Sequence, residues 1–215
     1  VFNVTGGINT ICSGDAGVSV GLDNSTLGVS YQLLRGVTPV GSAVSGTGSA
    51  ISFGVQTTAG TYSVEATTVS TPSCGPVAMN GSSVLTVRPL PVVQTLSSPV
   101  GTSYCQGSAN ITVRVSSSEL GFTYQLYKGA VGGATQAGTG AALDFTNLDA
   151  GVYTVRAFYG TAPTCETVMS GSITVTETAS PIVFNVTGGI NTICTGDAGV
   201  SVGVDNSTLG VSYQL

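Results

Sequence analysis

Few residues in this chain are equipped for chemistry. Five cysteines stand at Cys12, Cys74, Cys105, Cys165 and Cys194, ten carboxylates are scattered along the chain, Lys128 is the single lysine, and there is no histidine. Histidine is the commonest general base and metal ligand, and a serine or threonine without a base beside it is a weak nucleophile. The carboxylates are Asp15, Asp23, Glu65, Glu119, Asp144, Asp149, Glu166, Glu177, Asp197 and Asp205, and no acid pair recurs along the repeat set out below. The chain therefore reads as non-catalytic, with no cofactor. Without histidine or a close C-x-x-C the cysteines cannot close a zinc site. Asp15 offers one carboxylate where calcium takes six to eight oxygens, and it reads better as a turn cap. Lys128 is the type of residue that forms isopeptide crosslinks with Asn and an acid, but its lack of a counterpart in the first half excludes a repeating crosslink. Thiol chemistry remains, and with it the disulfide.

Five basic residues against ten acidic ones leave no electrostatic footprint for nucleic acid. Mean hydropathy is +0.39, yet no apolar run reaches the ~18 residues of a membrane helix, so no membrane insertion is expected. Charged residues are 7% of the chain, where about 25% is ordinary. There are 30 Thr, 26 Ser and 31 Gly, a composition suited to pleated strands and tight turns. Disorder is not expected, because it pairs low hydrophobicity with high charge.

The chain repeats itself. Residues 183–215 reproduce residues 1–33 at an offset of 182, differing only at Ser13/Thr195 and Leu22/Val204. It reads as a window on a tandem array, with the last segment opening the next copy. The 182-residue unit is itself two diverged halves. Gly28-Val29-Ser30-Tyr31-Gln32-Leu33 matches Gly121-Phe122-Thr123-Tyr124-Gln125-Leu126, Gly46-Thr47-Gly48 matches Gly138-Thr139-Gly140, and Cys12 and Cys74 match Cys105 and Cys165. Pro-marked junctions place the domains at 1–90 and 91–181, with 182–215 a partial third.

Period-two alternation bounded by Gly, Asn and Pro marks strands. In the first half it predicts 18–22, 29–34, 50–55, 61–68 and 83–87. In the second it predicts 111–115, 122–127, 142–145, 152–158 and 172–175, with an opening strand near 92–96. About seven short strands in about 90 residues predict an all-β chain of tandem immunoglobulin-like sandwiches. Ala59-Gly60-Thr61-Tyr62 and Asp149-Ala150-Gly151-Val152-Tyr153 predict tyrosine corners at Tyr62 and Tyr153.

Two cysteines per half, with Cys194 the first of a third half, point to disulfides and an oxidising, extracellular setting. The simplest pairing is Cys12–Cys74 and Cys105–Cys165, each closing a loop of about 60 residues worth roughly 4 kcal/mol on the chain-entropy model. Topology objects: Cys12 precedes the second strand and Cys74 sits at the tip of the last hairpin, corners at opposite ends of a standard sandwich. Cys12–Cys165, a staple between neighbours, is the alternative. The partner of Cys194 is expected outside the chain.

The string Ile11-Cys12-Ser13-Gly14, Gly28-Val29-Ser30-Tyr31-Gln32-Leu33, Gly46-Thr47-Gly48, Ala59-Gly60-Thr61-Tyr62 resembles the immunoglobulin-like repeats of very large Bacteroidetes cell-surface proteins, among them gliding-motility adhesins. The resemblance spans the chain. It implies export to the cell surface, filament formation, and service in adhesion, motility or matrix building. An internal segment would show no export signal.

Asn-x-Ser/Thr occurs at Asn3, Asn24, Asn80, Asn110, Asn185 and Asn206, candidate glycosylation sites if the machinery is present. Tyr104, Tyr127 and Tyr159 are candidates for a sugar platform, with strand packing favoured. The leading expectation is a structural module of an extracellular filament or stalk whose partners are neighbouring repeats and other copies of itself, since stacked modules need only nearest-neighbour contacts. Sparse charge on the edges also leaves lateral strand pairing open. The alternatives are an adhesive module binding surface glycans or protein, and an inert spacer.

Overall fold

The computed structural model describes residues 1–108, 110–161, 164–189 and 192–215, and among them the regular structure is all β. The first sandwich runs through β1 (Val4–Thr5), β2 (Ile8–Cys12), β3 (Val18–Leu22), β4 (Val29–Arg35), β5 (Thr38–Ser45), β6 (Ile51–Gln56), β7 (Gly60–Thr68), β8 (Val77–Ala78) and β9 (Ser83–Arg88). One layer is β1-β3-β6 and the other β2-β9-β7-β4-β5, with β8 beside β7. The second repeats the plan with β10 (Leu96–Ser97), β11 (Ser103–Cys105), β12 (Ile111–Val115), β13 (Thr123–Lys128), β14 (Val131–Ala137), β15 (Leu143–Leu148), β16 (Gly151–Phe158), β17 (Thr167–Val168) and β18 (Ile173–Thr178). Its layers are β10-β12-β15 and β11-β18-β16-β13-β14, with β17 beside β16. A short pair, β19 (Val186–Thr187) and β20 (Gly203–Val204), follows. The chain is a tandem of immunoglobulin-like sandwiches.

Alternation builds each core. Successive side chains of a strand face opposite ways, so Tyr62, Val64 and Ala66 of β7 turn inward with Tyr31 and Leu33 of β4 against Val20 and Leu22 of the other layer. In the second sandwich Tyr153, Val155 and Ala157 meet Tyr124 and Leu126 across from Val113, Val115 and Phe145. The opening strand of each sandwich serves both layers. Val4 pairs antiparallel with Leu22 in one layer, and a few residues on Ile8 pairs parallel with Val84 in the other.

Strands β2, β5, β11 and β14 escape the alternation test. β5 and β14 are edge strands, mostly exposed and rich in Gly, Ser and Thr, so no buried face imposes a period on them. The opening strand of the second sandwich is Leu96–Ser97 rather than 92–96, and of the residues before it only Thr95 pairs, in a single parallel bridge with Ser170.

Candidate interdomain junction

The end of β2 sets the junction. β2 runs parallel to β9 with Cys12 opposite Arg88, and the Ser13 amide donates to the Arg88 carbonyl (2.8 Å). Both residues therefore stand where the chain leaves the first sandwich. The Cys12 amide donates to Asp15 Oδ2 (2.8 Å) and the Asp15 amide to the Cys12 carbonyl (3.0 Å), a capped turn that presents the thiol. On the second sandwich, β16 ends at Phe158 and the Tyr159 amide donates to the Thr164 carbonyl (2.7 Å), closing the loop that carries Cys165.

These ends are bonded. Cys12 and Cys165 form a disulfide with a Cα–Cα distance of 5.3 Å and a sequence separation of 153. The preferred intradomain pairs, Cys12–Cys74 and Cys105–Cys165, are not formed, and Cys74, Cys105 and Cys194 are exposed free thiols. Sheet register explains this. β9 is antiparallel to β7 with Gly60 opposite Leu85, so Arg88 and Cys12 lie past the start of β7. Cys74 lies at the other end of β7, where the Thr68 amide donates to its carbonyl (2.9 Å) and its own amide donates to Thr68 Oγ1 (2.7 Å). A β7 of nine residues holds the two apart by roughly 30 Å at the usual strand rise, far beyond disulfide reach. Cys105 and Cys165 are separated alike along β16.

Arg88 flanks the disulfide. Its Nη1 donates to the Thr161 carbonyl (2.9 Å), and its Cζ lies 5.0 Å from the centroid of the Tyr159 ring. Tyr159 in turn packs 4.5 Å from Phe122, a core residue of the second sandwich. A cation, a phenol and a core aromatic thus stack across the junction. Arg88 and Tyr159 as partners were not legible in the sequence, because nothing local links residues so far apart.

The hydroxyl of Tyr62 donates to the Thr58 carbonyl (2.6 Å), and that of Tyr153 to the carbonyl (3.0 Å) and Oδ1 (2.6 Å) of Asp149. Burial, followed by the Asp149 carboxylate, pushes the Tyr153 hydroxyl well above the ordinary phenol range. A second set of tyrosines went unread. Tyr31 and Tyr124 accept from the amides of Thr26 (2.9 Å) and Glu119 (3.0 Å). Buried Ser25 and Ser118 donate to the carbonyls of Ser49 and Ala141 (2.6 Å each) and accept from the amides of Thr47 (2.9 Å) and Thr139 (3.0 Å). Their repetition at equal spacing was the available signal.

The three tyrosines of the sugar-platform reading do not come together. The Tyr104 hydroxyl accepts from the Ala150 amide (3.0 Å), Tyr127 lies under Arg156, and Tyr159 lies under Arg88. Lys128 forms an exposed ion pair with Asp149 (2.7 Å). Among the described residues no cluster of three His, Cys, Asp or Glu side chains is placed to hold a metal. Of the candidate glycosylation sites, Asn3 donates its amide to Asp23 Oδ2 (2.6 Å), Asn185 to Asp205 Oδ2 (2.7 Å), and Asn80 to Asn3 Oδ1 (2.6 Å). Asn24 and Asn206 instead use their side-chain oxygens, accepting from the next amide (2.8 Å each). Asn110 is exposed.

No family model matches the chain, and no curated protein matches it. Solved structures do. Among them are the ligand-binding domain of human OSCAR (15% identity, 81% of this chain and 97% of that one, TM-score 0.38) and murine CEACAM1b (14%, 82% and 100%, TM-score 0.48). A third is a calcium-stabilised adhesin with which an Antarctic bacterium binds ice (16%, 86% and 51%, TM-score 0.43). At such identities the likeness bears on fold alone, and the strand order above already describes that fold.

Proposed function

We propose that this chain is a stretch of a non-catalytic, extracellular structural array, divided near residues 90 and 181, in which immunoglobulin-like beads are tied end to end to carry tension. The observation that carries this reading is the Cys12–Cys165 disulfide, which joins two different sandwiches rather than bracing either one. Strands β3 to β16 lie between these cysteines. Tension applied to the two ends of the chain passes through the sulfurs and bypasses most of both cores. A disulfide also supports an oxidising setting outside the cell. Association of such arrays side by side belongs to the same reading, because the exposed edges β5 and β14 carry no charged residue and charge is the usual protection of an edge.

Single-molecule stretching tests it. Without reductant, extension stops after residues outside the disulfide loop are drawn out. With reductant, the 153-residue separation adds roughly 500 Å at about 3.3–3.6 Å per residue. Equal extensions in both conditions would overturn the proposal.

A further inference from the structure

Cys74 and Cys105 repeat the two halves of the formed disulfide. Cys105 ends β11, parallel to β18 and opposite Thr178, and the Gln106 amide donates to the Thr178 carbonyl (2.8 Å). Cys12 stands opposite Arg88 with the same amide-to-carbonyl bond from Ser13. Cys74 follows Pro72-Ser73 as Cys165 follows Pro163-Thr164, each in the loop that leaves the strand carrying the buried tyrosine.

The surroundings of the two loop cysteines differ in cover. Cys165, beneath the end of the first sandwich, is 4% exposed, and nearby Met169 is 2% exposed. The matching end of the first sandwich is an open hollow lined by Val1, Phe2, Tyr31, Ala66, Cys74 and Met79. There Cys74 is exposed and Met79 half-buried.

We infer that this hollow and the Cys105 end of the second sandwich are the two sides of one more junction: Cys105 bonds to the Cys74 of the following 182-residue unit, whose opening is already present at residues 183–215. The occupant of the hollow is thus the Cys105–Thr178 end of the preceding unit. This rests on the array reading and deepens it. The new junction is chemically plainer than the first, since Thr178 replaces Arg88 and Thr68 replaces Tyr159. No cation–aromatic stack backs it, and its disulfide is the main tie.

The consequence is topological. The Cys12–Cys165 loop leaves the backbone between Cys165 and Cys194 outside any disulfide ring. A Cys105–Cys74 bond to the following unit encloses that stretch. Each ring then overlaps the next, and every peptide bond of the array interior lies inside at least one. A single proteolytic cut anywhere in the interior leaves the array covalently whole. Oxidation balances in the ordinary way: two thiols lose two protons and two electrons to an oxidant of the disulfide-exchange class, as at Cys12–Cys165.

The test uses the chain carried on through a complete second unit, oxidised, with a protease site placed either between Leu90 and Pro91 or between Ser180 and Pro181. Cutting at the first site leaves one covalent species without reductant through Cys12–Cys165. Failure there would sink the array reading itself. Cutting at the second site also leaves one species, and peptide mapping finds Cys105 joined to the second unit's Cys74. Cys105→Ser makes that cut part the chain while the first cut still does not. If the cut at Ser180 parts the unsubstituted chain, or Cys105 is recovered as an alkylated free thiol, this inference is overturned and the array reading stands.

Discussion

The guanidinium of Arg88, in the last strand of one sandwich, lies 5.0 Å over the ring of Tyr159 in the next, beside the Cys12–Cys165 disulfide. Cation–aromatic pairs contribute about 0.5–2 kcal/mol. The pair acts on the junction rather than on either core, since Arg88 lies at the exit of one sandwich and Tyr159 in a loop of the other.

Removing it loosens the junction alone. Arg88→Ala raises the rate at which a small thiol reduces Cys12–Cys165 by about tenfold, as expected for ~1.4 kcal/mol of lost cover. Arg114→Ala, which breaks an ion pair with Asp144 inside the β10-β12-β15 layer, leaves that rate unchanged. Equal reduction rates in Arg88→Ala and the unsubstituted chain would show that the stack does not cover the bond.

Ser25 and Ser118 are buried, and each bridges an amide and a carbonyl. Ser118→Ala strands the Thr139 amide and the Ala141 carbonyl, at a cost of ~1–3 kcal/mol. For a domain of this size the melting temperature of the second sandwich falls by roughly 5–20 °C. Exposed Ser97→Ala stays within about 0.5 kcal/mol of the parent. Calorimetry of both variants reads the difference.

Gly46 and Gly138 are required by close approach. A Cβ at either would lie 1.9 Å from a backbone carbonyl oxygen, that of Thr26 or of Glu119. Backbone cannot swing aside as a side-chain tip can, so Gly138→Ala unfolds or severely destabilises the second sandwich, by more than about 4 kcal/mol. Denaturant titration of the second sandwich checks this, and a change under 1 kcal/mol would show that the turn can move.

Acid weakens the second sandwich in a defined window. Lys128, with help from Tyr153, holds Asp149 below the ordinary carboxylate range, and Arg114 does the same for Asp144. A carboxyl lowered in the folded state stabilises above its unfolded value, near pH 4, and that stabilisation is lost as pH falls through the folded value. The melting temperature of the chain is therefore level from about pH 5 to 8 and declines below about pH 4. In Asp144→Asn/Asp149→Asn the decline is shallower. An unchanged acid slope in the double variant would place the sensitivity elsewhere, with Asp23, lowered by its bonds to Asn3, the next group to replace.

The third copy separates what is local from what is not. Residues 183–215 nearly duplicate residues 1–33 and remake the same short-range bonds. The Asn185 amide donates to Asp205 Oδ1 (3.0 Å), the Cys194 amide to Asp197 Oδ2 (2.7 Å), and the Thr208 amide to the Tyr213 hydroxyl (2.8 Å). These match Asn3–Asp23, Cys12–Asp15 and Thr26–Tyr31. Turn chemistry and short spacing suffice for them, which is why strand positions such as Val18–Leu22 and Ile111–Val115 were legible from alternation alone. Thr192-Ile193-Cys194 and Val211–Leu215, by contrast, form no strand, although their twins belong to β2 and β4. Those strands exist through partners, β9 and β7, brought from far along the chain.

Sequence by itself determined the repeat, the all-β sandwich, the corner tyrosines Tyr62 and Tyr153 and the supply of two thiols per domain, because periodicity and spacing carry that information locally. Tertiary structure decided which thiols meet. Two cysteines of one sandwich are kept apart by the length of β7, while parallel pairing of β2 with β9 delivers Cys12 to the one end from which the next sandwich's Cys165 is within reach. Register between distant strands, a non-local quantity, turned beads with disulfides of their own into beads tied to one another.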